Sequence, residues 1–374
     1  MILPRNPRLD LLKGRLERSV QLGLLALGVA QRIRMLAMML DPIAVSGEEL
    51  GGALGVSRAA VHKHVSVLRT AGFAVESQRG YGYRLREMPE LPAPELVALL
   101  LLADPRMPGP DEPGFLGLPY HHHARVDSTN DICRSLAEAQ APSGTVVAAE
   151  DQLQGRGRLD RVWHSLAGRD LTFSVILRPN VAPVEVGRLV LAVANGVALC
   201  LAEDVGLGRA IGLKWPNDVL INGDKACGIL LEASIDMDRV RWVVVGIGIN
   251  TNSRSADLLG GIETPPGKEP PISLHDAVGS RVSRSALLVS LLARLSVSLR
   301  QLSSRPESVV EQYEAFDTLR GRGIYLTSGY GGRRMGQGIA DGVESDGSLR
   351  VRGTHGQIDV FGAGEVTVVP AEKA

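Results

Sequence analysis

Several short segments of this chain carry residues that could handle an anion or an activated carboxylate. Gln152-Leu153-Gln154-Gly155-Arg156-Gly157-Arg158 sets two guanidinium groups between glycines. Glycine lets the backbone approach a ligand closely, and a guanidinium fork binds carboxylate or phosphate oxygens at two points. Taken alone, the segment fits an anion site and a solvated basic loop about equally. It is neither of the common phosphate loops: G-x-x-x-x-G-K-[ST] occurs nowhere, and Asp160 stands where G-x-G-x-x-G needs its last glycine. Lys214-Trp215-Pro216-Asn217-Asp218 and Lys225-Ala226-Cys227-Gly228 flank a turn at Asn222-Gly223. A lysine there could neutralise charge on a carboxylate under activation, and Asp218 could hold Mg²⁺ near phosphates. Singly, each is also an ordinary turn or surface charge. Gly246-Ile247-Gly248-Ile249-Asn250 closes a strand with little side-chain bulk, suiting a ligand wall or tight packing.

The elements that would position these residues fall into blocks. Leu9, Leu12, Leu16, Val20 and Leu24 recur at helical spacing, so residues 8–40 read as helical. Ser46 with Glu49 three residues later forms a capping-box pattern for a short helix to about Leu54. Ser57 then caps a helix through Arg69 with Val61, Val65 and Leu68 on one face, and two strands follow around Gly80-Tyr81-Gly82. Helix, helix, turn, helix and hairpin make a winged helix-turn-helix. Pro89, Pro92 and Pro94 read as a linker, as does Pro105 to Pro119. From about Val126 to Asn250, strand-like runs such as 145–149, 171–177, 219–221 and 243–249 alternate with a helix at 187–202, giving a mixed α+β domain. A Pro- and Gly-rich surface loop at 253–271, a helical stretch at 284–317 and short strands with Gly-rich turns at 322–369 complete the chain, the last part reading as a small β-barrel. The divisions are a helical extension at 1–34, the winged helix at 35–90, the α+β domain at 91–317 and the barrel at 318–374.

At 374 residues and 44% apolar, the chain can bury a large core, and a disordered or fibrous class is excluded. The net charge of zero hides a split. Residues 1–86 hold thirteen Lys and Arg against six Asp and Glu, a surplus of seven cations, so the remainder carries seven excess anions. A basic front module suggests nucleic-acid contact. Three scattered cysteines offer neither a disulfide framework nor metal-ligand spacing, which favours the reducing cytoplasm. No segment reads as a membrane span or a signal peptide.

The ordered set Asp127-Ser128-Thr129-Asn130, Gln152 with its Gly-Arg-Gly-Arg loop, Lys214 to Asp218, Lys225 to Gly228 and Gly246 to Asn250 resembles the biotin-protein ligase family. With Ser57-Arg58-Ala59-Ala60-Val61-His62-Lys63-His64 in front, the chain is similar to bifunctional biotin ligases that also repress biotin genes, over about residues 35–370. The resemblance implies a central domain of class II synthetase-like build and an SH3-like barrel. It also implies two-step acyl transfer without a covalent enzyme intermediate. Biotin and MgATP give biotinyl-5′-adenylate, which a lysine of the biotin carboxyl carrier protein of acetyl-CoA carboxylase attacks. Biotin and ATP with Mg²⁺ are then substrates, and no tightly bound prosthetic group is expected.

Carried over residue by residue, Ser128, Thr129, Asn130 and Gln152 face the ureido end of biotin, and Arg156, Gly157 and Arg158 lie over its carboxylate and the phosphates. Lys225 and Arg158 act at the reacting centre, Arg158 also retaining the adenylate. Arg158, Arg161, Lys214, Asn217 and Asn250 hold the nucleotide, with Asp218 near its metal. Ser57, Arg58, His62, Lys63 and Arg69 on the recognition helix, with Arg79 and Arg84 at the wing, would meet operator DNA. The resemblance also implies a homodimer favoured by the adenylate.

The sequence departs from the family pattern in places. Leu159 and Asp160 stand in the arginine loop where Arg-Gly or similar residues are usual, no Trp follows Trp242 to cover the adenine, and residues 1–34 have no counterpart. His121-His122-His123 reads as a polar surface loop. A ligase whose front module does not bind DNA, and a lipoate-type acyl ligase, are the competing readings. A ligand sensor without activity leaves Lys225, Arg156 and Arg158 without a purpose.

Overall fold

The computed structural model describes residues 8–41, 43–78, 80–159, 161–258, 269–328, 333–362 and 367–370. The front module runs α1 (Arg8–Gln21), α2 (Leu27–Met38), α3 (Gly47–Leu54), α4 (Arg58–Thr70), β1 (Ala74–Gln78) and β2 (Gly82–Glu87). The single helix expected over 8–40 is two, separated by a turn in which Gly23 takes φ +71°, and α2 crosses the boundary drawn at residue 34. The capping box is present in full: the Glu49 amide donates to Ser46 Oγ (3.1 Å), and the Ser46 amide to the Glu49 carboxylate (2.9 Å). Gly55 at φ +66° ends α3 in the left-handed conformation that glycine adopts without penalty. Val61, Val65 and Leu68 of α4 are fully buried, and β1 pairs antiparallel with β2 as a short wing.

The stretch read as a linker contains a helix, α5 (Pro94–Ala103). Pro94 opens it at a first-turn position, where proline lacks nothing because the N–H would be unpaired anyway. Glu95 to Ala103 are all buried, because α1 and α2 cover one side and a long C-terminal helix the other. Arg15 caps its carboxyl end, donating to the carbonyls of Leu102 (3.2 Å) and Asp104 (2.8 Å), and Arg32 pairs with the buried Glu95 at 2.7 Å.

The central domain continues β3 (Tyr120–His123), α6 (Thr129–Glu138), β4 (Val146–Ala149), β5 (Leu171–Leu177), α7 (Val186–Leu199), β6 (Ile211–Lys214), β7 (Asp218–Ile221), β8 (Asp224–Asp236), β9 (Arg239–Ile249), α8 (Ser255–Leu258), α9 (Leu274–Val278), α10 (Arg284–Ser304) and α11 (Pro306–Phe316). The strands form one sheet in the order β3-β4-β5-β9-β8-β7-β6, antiparallel except for β3 with β4. Helices α7, α10 and α11 pack together as one layer, and α7 lies against the sheet. Helix α6 covers part of the opposite face, on Val147, Ile176 and Val244. Two helices, Pro183–Asp204 and Arg284–Ser304, have the length and composition of membrane spans, contrary to the reading that none does. Their apolarity serves the core, since they pack on each other. The expected helix over 284–317 breaks at Arg305 before Pro306, because the residue ahead of a proline is pushed out of the helical region.

His121 to His123 lie on β3, not in a loop, with side chains alternating across an edge strand. His122 Nε2 lies 2.9 Å from Glu150, whose other oxygen takes Arg284 at 2.8 Å. The C-terminal domain has β10 (Gly323–Thr327), β11 (Arg334–Val343), β12 (Leu349–Arg352), β13 (Ile358–Phe361) and β14 (Thr367–Pro370), all antiparallel, in the order β13-β12-β11-β10-β14. This small barrel-like unit docks through its β11–β12 turn. Trp215 Nε1 donates to Gly347 O (2.9 Å), and a side chain at Gly187 would lie 2.4 Å from Asp346 O.

Candidate active site

Strand register explains where the site forms. Gly228 pairs with Gly248, and Gly246 with both Leu230 and Ser174, so these positions share the sheet face that α6 occupies further along. Side chains alternate along a strand, and two glycines at this spacing on β9 leave the face open. Neighbours fill the gap closely: a Cβ at Gly246 would lie 2.3 Å from Asn130 Oδ1, and one at Gly248 would lie 2.4 Å from the Trp163 indole. The resulting cavity, about 300 Å³, is lined at one end by Ser128, Thr129, Asn130 and Gln152.

That end is a buried polar network. The Gln152 side-chain oxygen accepts from the Thr129 amide (2.9 Å) and hydroxyl (3.2 Å). Thr129 Oγ1 lies 2.7 Å from Ser174 Oγ, which donates to Asn130 Oδ1 (2.6 Å), and Asn130 Nδ2 donates to Glu232 (2.6 Å). Helix α6 begins here, so the network sits beside its positive end. Arg156 bridges Asp131 (2.6 Å) and Glu232 (3.3 Å).

At the other end the cations gather. The arginine loop folds on itself, Gly157 N donating to Arg161 O (2.6 Å) and Trp163 N to Gly155 O (2.9 Å). Leu159, in the departing part of the motif, adopts φ +55°, while Asp160 lies outside the described residues. Arg158 donates to Asn217 Oδ1 (3.3 Å), and Asn217 in turn to Ile229 O (2.7 Å). Burial pushes the Arg158 guanidinium down to about 10, against the opposing pull of Asp218 and with Arg161 adding to the shift. Lys225 pairs with Asp218 at 2.7 Å and stands 5.7 Å from the Trp163 ring. Lys214, nearly buried, pairs with Glu269 at 2.8 Å. Asn250 donates to the carbonyls of Lys225 and Ile272, both at 3.2 Å, tying the end of β9 to the next loop. Where a late tryptophan is absent, Leu258 and Pro271 line the cavity.

The site residues named from sequence in the central domain, from Ser128 to Asn250, thus line one cavity. Sequence reasoning missed Asp131, Ser174, Glu232 and Glu269. Glu232 was findable, being two strand steps of two from Gly228 and hence on the same face. Glu269, in a Pro- and Gly-rich loop, carried no signal. No group of three or more His, Cys, Asp and Glu side chains is placed to hold a metal among the described residues.

In the front module, Ser57 Oγ caps α4 by accepting from the Ala60 amide (3.3 Å). Arg58 pairs with Glu48 at 2.5 Å in full solvent, and His62 and Lys63 are exposed on α4. Arg69 is exposed but donates to Val75 O (2.8 Å) and Ser77 Oγ (2.6 Å), so it fastens the helix to β1. Arg84 is half-buried on β2 opposite Glu76, and Arg79 lies outside the described residues.

The chain thus joins a helix-turn-helix module to a mixed sheet with a cation-lined cavity. The model of the Biotin/lipoate A/B protein ligase family matches residues 123–250, and that of an HTH domain residues 31–84. The bifunctional ligase/repressor BirA of Bacillus subtilis (strain 168) is 37% identical over 248 residues, 66% of this chain and 71% of that one. BirA of Escherichia coli (strain K12) is 29% identical over 343 residues, covering 91% and 98%. The structure of biotin protein ligase from Aquifex aeolicus in complex with biotin and ATP aligns with a TM-score of 0.55 at 28% identity, covering 67% of this chain and 99% of that one. The chain belongs to the biotin-protein ligase family.

Proposed function

We propose that the protein joins biotin to a lysine of the biotin carboxyl carrier protein of acetyl-CoA carboxylase, and that it also represses transcription of biotin genes. The observation that carries the ligase reading is the convergence of the polar pocket and the cation cluster on one cavity. In the first step a biotin carboxylate oxygen attacks the α-phosphorus of ATP, the bond to the β-phosphate breaks, and pyrophosphate leaves. In the second the acceptor amine attacks the acyl carbon, an amide forms, AMP departs and the amine proton passes to solvent. Both steps need positioning and neutralisation of charge more than covalent chemistry from the protein.

In this reading the Ser128, Thr129, Asn130 and Gln152 network orients the ureido ring. Arg156 with Gly157, Arg158 and Lys225 meet the carboxylate and α-phosphate, and Arg161, Lys214, Asn217 and Asn250 hold the rest of the nucleotide. Mg²⁺ enters on ATP as part of the substrate. A single carboxylate beside bound phosphates suffices for such an ion, and Asp218, paired with Lys225 at 2.7 Å, is the residue that would meet it. The test is ATP–pyrophosphate exchange with biotin and with lipoate: exchange with biotin alone supports the reading, and exchange with lipoate alone replaces it.

The repressor half rests on the exposed Arg58, His62 and Lys63 of α4 and on the surplus of basic residues in this module. One small module makes few base contacts, so two copies on paired half-sites are needed, brought together as a homodimer when the adenylate is bound. Operator affinity then rises with biotin plus ATP and not with ATP alone, and Arg58→Ala abolishes it while leaving exchange intact. Equal operator affinity with and without adenylate breaks the link. The protein would work in the cytoplasm.

A further inference from the structure

The hydrogen bonds at the polar end of the cavity form a chain whose direction follows atom by atom from Glu232. Ser174 on β5, Gly246 on β9 and Leu230 on β8 lie side by side across three strands, and Glu232 is one step of two further along β8, on the same face. Asn130, at the start of α6, lays its amide over Gly246, where a Cβ would lie 2.3 Å from Oδ1, and so spans from Ser174 to Glu232. A carboxylate only accepts hydrogen bonds, so the Asn130 amide must turn Nδ2 to Glu232 (2.6 Å) and Oδ1 to Ser174. The single hydroxyl proton of Ser174 is thereby committed to Oδ1 (2.6 Å). Thr129 must then donate across the 2.7 Å contact to Ser174, and its 3.2 Å approach to Gln152 is the weaker share of the same proton. What Thr129 Oγ1 has left for the cavity it lines is a lone pair.

We infer that Glu232 is a positioning residue for biotin: by fixing the Asn130 amide it sets the direction of the Asn130–Ser174–Thr129 chain, so that Thr129 Oγ1 accepts from a ureido N–H of the substrate. The inference rests on the ligase reading above. A ureido ring presents its nitrogens as donors, and a hydroxyl that offered its proton to them would set donor against donor. Such a mismatch is costly where the groups are out of water, and Thr129 and Asn130 are each 3% exposed and Ser174 not at all. Reversing the chain requires the Asn130 amide to turn over and aim Oδ1 at Glu232, acceptor against acceptor, which a carboxylate forbids. Glutamine at 232 keeps the shape but can donate as well as accept, so the direction is no longer imposed. Arg156 also donates to Glu232 at 3.3 Å, but its shorter bond is to Asp131 at 2.6 Å, so the guanidinium stays held when residue 232 loses its charge.

The test is a double-mutant cycle on the full chain, read by biotin-dependent pyrophosphate exchange at varied biotin and at varied ATP. Glu232→Gln raises the KM for biotin about tenfold or more while the KM for ATP stays within about twofold of the parent. Ser174→Ala, which cuts the chain in its middle, does the same. Thr129→Val removes the terminal acceptor, and in that background Glu232→Gln changes the KM for biotin less than about twofold, because its effect passes through Thr129. An unchanged KM for biotin in Glu232→Gln and Ser174→Ala overturns the inference. So does an equal rise in both KM values, or a Glu232→Gln effect that multiplies in full with that of Thr129→Val, since either marks a general structural role. Absence of biotin-dependent exchange in the parent overturns the ligase reading, and this inference with it.

Discussion

Substituting Gly248 with alanine probes the open sheet face, because the methyl would sit 2.4 Å from both Cε2 and Nε1 of Trp163. That is about 1 Å inside normal carbon contact, so either the indole moves further into the cavity or the methyl takes ligand space. The indole nitrogen has no hydrogen-bond partner among the described residues, so its displacement breaks none there. Overpacking of this kind costs about 1–3 kcal/mol. Since the strain falls on the cavity and each 1.4 kcal/mol is a factor of ten, the KM for biotin should rise about 5- to 150-fold. The melting temperature should fall by only a few degrees. Pyrophosphate exchange at varied biotin measures the first, and thermal unfolding the second. An unchanged KM for biotin would show that the glycine face is not ligand space.

Lys225→Ala removes the cation paired with Asp218, and adenylate formation should slow by several hundredfold, the scale for losing one preorganised donor; exchange within threefold of the parent removes Lys225 from the mechanism. Arg158→Gly should still form adenylate but release it, labelling bystander lysines, and a variant that holds the adenylate as tightly as the parent refutes the retention role. Asp204 is held down to about 2, since burial, which raises it, is outweighed by bonds from Arg294, Ser290 and Arg106. A depressed carboxylate stabilises the fold above its unfolded value, near 3.9, and that contribution is lost as pH falls toward 2. Asp204→Asn should therefore cost about 1–2 kcal/mol at pH 7 after allowance for solvent screening, converging with the parent near pH 2 in denaturant titrations; a constant difference across that window contradicts the assignment.

The site was legible because its parts are short motifs whose chemistry does not depend on the exact element boundaries. Lys214 faces Asp218 across the β6–β7 turn and Asp218 meets Lys225 across β7–β8, two successive hairpins, and Ser128 to Asn130 stand at a helix start that the sequence order alone places beside the strands. Long-range placement was less legible. Helix α5 is apolar all round because it is enclosed, so it shows no amphipathic period, and its prolines mimic a linker. The break between α1 and α2 hides under a leucine repeat that runs through Gly23. His122 looked like loop because its partners, Glu150 and Arg284, are remote in sequence. Glu269 reaches Lys214 across 55 positions, a pairing that no local pattern announces.

One cavity is to carry out both half-reactions with a retained intermediate. The direct measurement is to incubate the protein with biotin and MgATP, remove small molecules by rapid gel filtration, identify what stays bound by mass spectrometry, and then add carrier domain without ATP. Bound biotinyl-5′-adenylate should be present and be consumed on carrier addition, with one biotin on the acceptor lysine for each adenylate lost. No bound adenylate, or adenylate that the carrier does not consume, would contradict it.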